Sequence, residues 1–189
     1  MDDNNINLRL IEKVERLENT YGRKFSNTQK ILLSTDGSIT AILDVLYGKI
    51  DFTTIEQHIE KSSKDVAEHL NIEEGNEVAS RIILMHKDDK PLIHSLSYIP
   101  IERLTEDMEK DLRSGAIPIG RILKKYQVES RREIKNIHIE RPNKYIEEIF
   151  NTNEDVLTRD YDIIKDGEVF MWIEEIFPVS YFNENISDY

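Results

Sequence analysis

Arg81 stands inside the apolar run VASRIILM, and two-residue alternation puts it on one strand face with Ile83 and Met85. A guanidinium on such a face requires an anion, because a buried, unpaired charge costs on the order of several kcal/mol. A protein carboxylate would make Arg81 structural and a ligand would make it functional. An arginine reaching water from the strand end is a third solution, and spacing alone leaves all three open. Two adjacent carboxylates, Glu174 and Glu175, interrupt a second apolar run, VFMWIEEIFP. Glu174 alternates with Phe170, Trp172 and Ile176, whereas Glu175 shares its face with Met171, Ile173 and Phe177. At least one of them therefore faces apolar surroundings, where a carboxyl group is suited to general-acid work unless an adjacent arginine draws its pKa back down.

Other chemistries find little support. His94 shares a strand face with Leu92, Leu96 and Tyr98 and reads as a lone structural histidine. His58, His69, His86 and His138 lack metal-ligand spacing and the chain has no Cys, so no metal is expected. The glycine-rich phosphate-binding patterns and the GxSxG nucleophile turn are absent, which points to cofactor-free chemistry. Acidic pairs such as Glu73-Glu74 and Glu147-Glu148 read as solvated faces.

The formal net charge of −12 opposes binding to nucleic acid or to anionic membranes, and an anionic small molecule would need a local cation such as a buried arginine. With 39% hydrophobic and 33% charged residues, seven Gly and five Pro, the composition is that of an ordinary globular protein. The start MDDNNINLRL lacks the form of a signal peptide, no run has membrane-spanning length, and the lack of Cys fits a reducing compartment; a cytoplasmic protein is expected. A length of 189 residues with no linker and no evident internal repeat suggests one domain, residues 1–189, acting as a monomer or small homo-oligomer.

The elements that must position these groups are visible in the pattern. Apolar residues from Ile6 to Leu17 predict an amphipathic helix over about 6–21, ended by Gly22. Ser26 caps a short helix into Leu33, and Asp36-Gly37 is a turn before a strand beginning near Ser38, with a helix toward Leu46 as the alternative. Alternation follows at Ile50, Phe52 and Thr54, and Ser63 caps a helix through Leu70. Val78–Met85 and Pro91–Ile99 flank the turn HKDDK as a hairpin. Helical stretches follow from Ile101 and after Ile117-Pro118-Ile119-Gly120, then a strand to Ile139 and a helix from Pro142 to Phe150. DVLTRDYDII and EVFMWIEEIF pair across Lys165-Asp166-Gly167. The expected fold is α+β, a single antiparallel β-sheet flanked by helices on one side.

Taken in order, VASRIILMHKDDKPLIHSLSYIP, IPIGRIL and EEIFPVSYF resemble the chorismate lyase family, closest to its archaeal-type members, over about residues 30–182. The resemblance implies a cofactor-free lyase that splits chorismate into 4-hydroxybenzoate and pyruvate. It further implies that Arg81, in R-x-x-L, binds the ring carboxylate. Glu174, in E-x-x-x-P, lies near the phenolic oxygen, with Glu175 the competing assignment. Main-chain groups around Ile39 in GSIT and Ile119-Gly120 in PIG contact the ligand. The insert SSKDVAEHLNIEEGNEV, His94 and the Glu-Glu pair depart from the bacterial pattern, and Arg131 and Arg132 have no assigned place. The stretch VAEHLNIEEGNEV with KPLIHSLSYIP also resembles the ligand-sensing domain of GntR-type regulators. That resemblance implies the rival function, a non-catalytic module for a small carboxylate; the shared region follows too few residues to accommodate a winged helix.

Overall fold

The structure, a computed structural model, describes residues 3–114 and 119–183. In chain order its elements are α1 (Asp3–Tyr21), α2 (Asn27–Ser34), α3 (Ile39–Tyr47), β1 (Asp51–Lys61), α4 (Lys64–Leu70), β2 (Glu77–Lys87), β3 (Lys90–Pro100), α5 (Glu106–Arg113), α6 (Ile119–Lys125), β4 (Arg131–Glu140), α7 (Lys144–Phe150), β5 (Val156–Lys165) and β6 (Glu168–Pro178), with a 3-10 turn at Ile101–Arg103. Ile117 and Pro118 of the expected break lie outside the described residues. The six strands form one antiparallel sheet in the order β1-β2-β3-β6-β5-β4.

Local chemistry explains most of the boundaries. Ser26 and Gln29 form a reciprocal capping box on α2, and Ser63, Thr105 and Asn143 cap α4, α5 and α7 by accepting a backbone N–H. The strand expected from Ser38 is instead α3. Ser38 Oγ accepts the Ala41 N–H at 3.3 Å, and Ile39 and Leu43, four residues apart, bury one helical stripe. The β-branched Ile39 and Thr40 suggested extended backbone, but the cap and the burial of that stripe outweigh their propensity.

Helices cover both faces rather than one. On the first face, Leu32, Leu33, Ile39 and Leu43 pack with Met85, Ile93, Leu157 and Phe177, and a separate cluster joins Met108, Leu112, Ile122 and Leu123 to Tyr161, Ile163 and Met171. On the opposite face, Ile146 and Phe150 of α7 pack with Val156 and Ile176, and α4 lies against β6. The sequence of β5 conceals this sandwiching, because burial on both sides removes the usual alternation.

The chain repeats one plan, α2-α3-β1-α4-β2-β3 and then α5-α6-β4-α7-β5-β6. Ile39-x-x-Ile42-Leu43 returns as Ile119-x-x-Ile122-Leu123, His58-Ile59-Glu60 as His138-Ile139-Glu140, Val78-x-Ser80-Arg81 as Val156-x-Thr158-Arg159, and Pro100 as Pro178. Each edge strand has a bulge at the matching place, between Thr54 and Glu56 and between Ile134 and Asn136. The hairpin turns place Asp88 and Asp166 at φ 51° and 52°. The expectation of no internal repeat is thus overturned; a pseudo-twofold axis passes between β3 and β6, at the middle of the sheet.

Candidate functional site

Between the two clusters of the first face, a cavity of about 60 Å³ lies over the middle strands. Its floor is set by register. Arg81 pairs with Ser97 across β2 and β3, Ser95 pairs with Glu175 across β3 and β6, and Glu175 pairs with Arg159 on β5. Its rim carries the starts of α3, through Ser38, Ile39 and Thr40, and of α6, through Ile119 and Gly120.

Arg81 is 1% exposed and donates from Nη2 to Thr54 Oγ1 at 3.1 Å; burial pulls its guanidinium below the ordinary value. Arg159, 0% exposed, donates from Nε to Glu175 Oε2 at 2.7 Å and from Nη1 to the Thr35 carbonyl at 2.9 Å. The Tyr161 hydroxyl donates to Glu175 Oε1 at 3.3 Å, and its pKa is pushed well up, first by burial and then by the Glu175 charge. Arg132, from β4, also lines the cavity and lies over the Tyr161 ring at 5.9 Å. Of the first α3 amides, that of Ala41 is taken by the Ser38 side chain and that of Ile42 by the Ser38 carbonyl. The amides of Ile39 and Thr40 have no intrahelical acceptor and stand at the cavity rim. Among the described residues, Arg81 and Arg132 line the cavity with Glu175, which Arg159 neutralises, and this gives a cationic site in an acidic chain.

Arg81, Ile39, Ile119 and Gly120 come together as lining residues; Glu174 does not join them. The register pairs Glu174 with Leu96, on the opposite sheet face, and gives its expected place to Glu175. The E-x-x-x-P count names Glu174, but the pleat, not the distance to Pro178, decides the face, and it turns Glu175 toward the cavity. Glu174 is half-buried there, with its pKa raised first by burial and then by the Glu140 and Asp160 charges. His94 is also on that face, 4% exposed and edge-on to Tyr145 at 5.7 Å; burial pulls its pKa down to about 4. Arg131 is exposed and pairs with Glu133 at 2.5 Å. Arg132, left without an assigned place by the sequence, lines the cavity, whereas Arg159 and Tyr161 escaped the sequence reading, although Val-x-Ser-Arg returning as Val-x-Thr-Arg was the signal for the first of them. Among the described residues, no group of three His, Cys, Asp or Glu side chains is arranged to hold a metal ion, and no helix is long and apolar enough to cross a membrane.

Comparisons with known proteins agree with this fold. The effector domain of PhnF from Mycobacterium smegmatis superposes with a TM-score of 0.68 at 11% identity, covering 78% of this chain and 92% of that one. A GntR-family transcriptional regulator from Bacillus cereus gives a TM-score of 0.58 at 19% identity, covering 72% and 96%. At these identities the likeness shows the fold alone. A protein of Methanocaldococcus jannaschii named "Putative lyase MJ0807" is 34% identical over 177 residues, 90% of this chain and 87% of that protein. The family described as chorismate pyruvate-lyase Rv2949c-like matches residues 33–184, and the chain belongs to that family.

Proposed function

We propose that this protein is a lyase that converts chorismate to 4-hydroxybenzoate and pyruvate, with Arg81 and Glu175 as its central residues. The observation that carries the reading is the buried cavity holding Arg81 two strands from a Glu175 already neutralised by Arg159. Arg81 takes the ring carboxylate, in a setting where removing one partner of a buried charge pair costs about 2–5 kcal/mol. The amides at the starts of α3 and α6, including those of Ile39, Ile119 and Gly120, orient the rest of the ligand.

In the reaction the ether C–O bond at the ring breaks and its electron pair leaves with the enolpyruvyl oxygen. The hydrogen on the neighbouring hydroxyl-bearing carbon leaves as a proton, and its bonding pair closes the aromatic ring. The proton finishes on the enolpyruvate, which becomes pyruvate. Glu175 relays it, with Arg159 and the Tyr161 hydroxyl fixing the carboxylate. Aromatisation drives the elimination, so orientation, charge complementarity and exclusion of water suffice, with no cofactor needed. The cavity is smaller than the roughly 150 Å³ that admits benzene, so binding requires the rim helices α3 and α6 to move apart.

The test is incubation of the protein with chorismate and chromatography of 4-hydroxybenzoate and pyruvate, alongside Arg81→Ala and Glu175→Gln. Both products are expected in equal amounts from the parent and lost in the variants. The likeness to regulator effector domains favours one second reading, a carboxylate sensor. That reading is established instead if 4-hydroxybenzoate raises the melting temperature while chorismate stays intact.

A further inference from the structure

We infer that Arg132 receives a second carboxylate, so that the cavity selects a dianion held between Arg81 and Arg132. The identity of that dianion rests on the lyase reading; its charge does not. Arg132 is four strands from Arg81 along β2-β3-β6-β5-β4, roughly 19 Å across the sheet. Both side chains line the same cavity, so the distance between their guanidinium groups is shorter than that between their strands.

Three features of Arg132 point to a ligand. Its Nε is buried with no hydrogen-bond partner, a donor whose desolvation a bound anion would offset. Its Nη1 donates at 3.2 Å to the carbonyl of Asp36, in the turn that leads into α3, which fixes the guanidinium beside the cavity-facing start of that helix. The carboxylate that lines the cavity, Glu175, is engaged by Arg159 and is not the partner of Arg132.

The internal repeat supplies an independent argument. The position matching Arg132 in the first half is Phe52, whose ring meets the Arg121 guanidinium at 5.5 Å. The second half departs from the common plan here, and the departure brings a guanidinium to the cavity. Chorismate carries a carboxylate on its ring and another on its enolpyruvyl arm. Arg132 therefore grips the half that departs, and 4-hydroxybenzoate, a monoanion, keeps only the Arg81 contact.

Calorimetry on the full chain with benzoate and 3-(carboxymethoxy)benzoate tests this, together with chorismate kinetics. The diacid should bind on the order of 30-fold tighter than benzoate. Arg132→Gln should remove that margin while leaving benzoate affinity within about twofold, and should raise the chorismate KM more than it lowers kcat. Arg132→Lys, which keeps the charge but loses the fork, should restore part of the margin. Its margin must still fall measurably, so it decides the matter if the glutamine variant does not fold. Equal weakening of both ligands, or an intact margin in either variant, overturns the proposal. Chorismate turnover with a KM independent of Arg132 sinks this inference and spares the lyase reading. An Arg132-dependent diacid margin without turnover does the reverse.

Discussion

Ser97→Glu offers a direct test of how the site is built. Arg81 and Arg159 occupy matching positions in the two halves, and their cross-strand neighbours, Ser97 and Glu175, match as well. In the second half that neighbour makes a 2.7 Å ion pair with both partners buried. A glutamate at position 97 would make the same pair with Arg81 and occupy the space assigned to the ligand's ring carboxylate. Ser97→Gln is the control, because it fills similar volume without charge. A charge-assisted hydrogen bond is worth about 1.5–3 kcal/mol, so the glutamate variant should be more stable than the glutamine variant by about that much. At roughly 2–4 °C per kcal/mol for a chain of this size, the gap in Tm is about 3–12 °C at pH 7, read by scanning calorimetry. Affinity of the glutamate variant for 4-hydroxybenzoate should fall at least about 30-fold, from both the lost partner and the added like charge. Equal melting of the two variants, or parental affinity in the glutamate variant, would refute the equivalence of the two arginines.

Glu175→Gln should cost about 3 kcal/mol because it leaves the Arg159 guanidinium buried beside a neutral group, whereas Glu174→Gln should leave stability unchanged or improve it; urea unfolding at pH 7 gives the ranking, and the reverse order would exchange the faces. Glu18 is buried, a situation that by itself raises its pKa, yet hydrogen bonds from Lys24, Lys30 and the Phe25 amide bring it down to about 2. Its contribution, about 3 kcal/mol, is present above pH 4.5 and lost as pH falls toward 2, so the stability gap between parent and Glu18→Gln should close over that window. His94 works in the opposite direction to an ion-paired histidine: burial holds its folded pKa at about 4, the unfolded chain protonates first, and about 3 kcal/mol is lost as pH falls from 6.5 to 4. His94→Leu should flatten the pH dependence of unfolding across that interval, and an unchanged profile would remove His94 as its source.

Much of this was legible in the sequence, for specific reasons. The hairpin turns at Asp88-Asp89 and Asp166-Gly167 and the Ser26 and Ser63 caps of α2 and α4 are local signals that tertiary contacts do not override. Arg81 stood out because a charge in an apolar strand demands an explanation. The Glu174 and Glu175 choice did not resolve, because adjacent residues on a strand differ only in face, and the face is fixed by a partner strand distant in sequence. Arg159 and Tyr161 were hidden in a strand buried on both sides, where no alternation sets one residue apart. The repeat was missed because its surviving identities are short and widely spaced, as with His58-Ile59-Glu60 and His138-Ile139-Glu140.

The pseudo-twofold axis through the cavity also sets a limit on how such a site can arise. A symmetric pair of identical chains must treat its two arginines alike, with a serine beside both or a carboxylate beside both. Joining both halves in one chain breaks that obligation. Position 97 can remain a serine while its counterpart becomes Glu175, and position 52 can remain a phenylalanine while its counterpart becomes Arg132. Covalent linkage is therefore what allows a near-symmetric scaffold to hold an unsymmetric molecule in a single orientation.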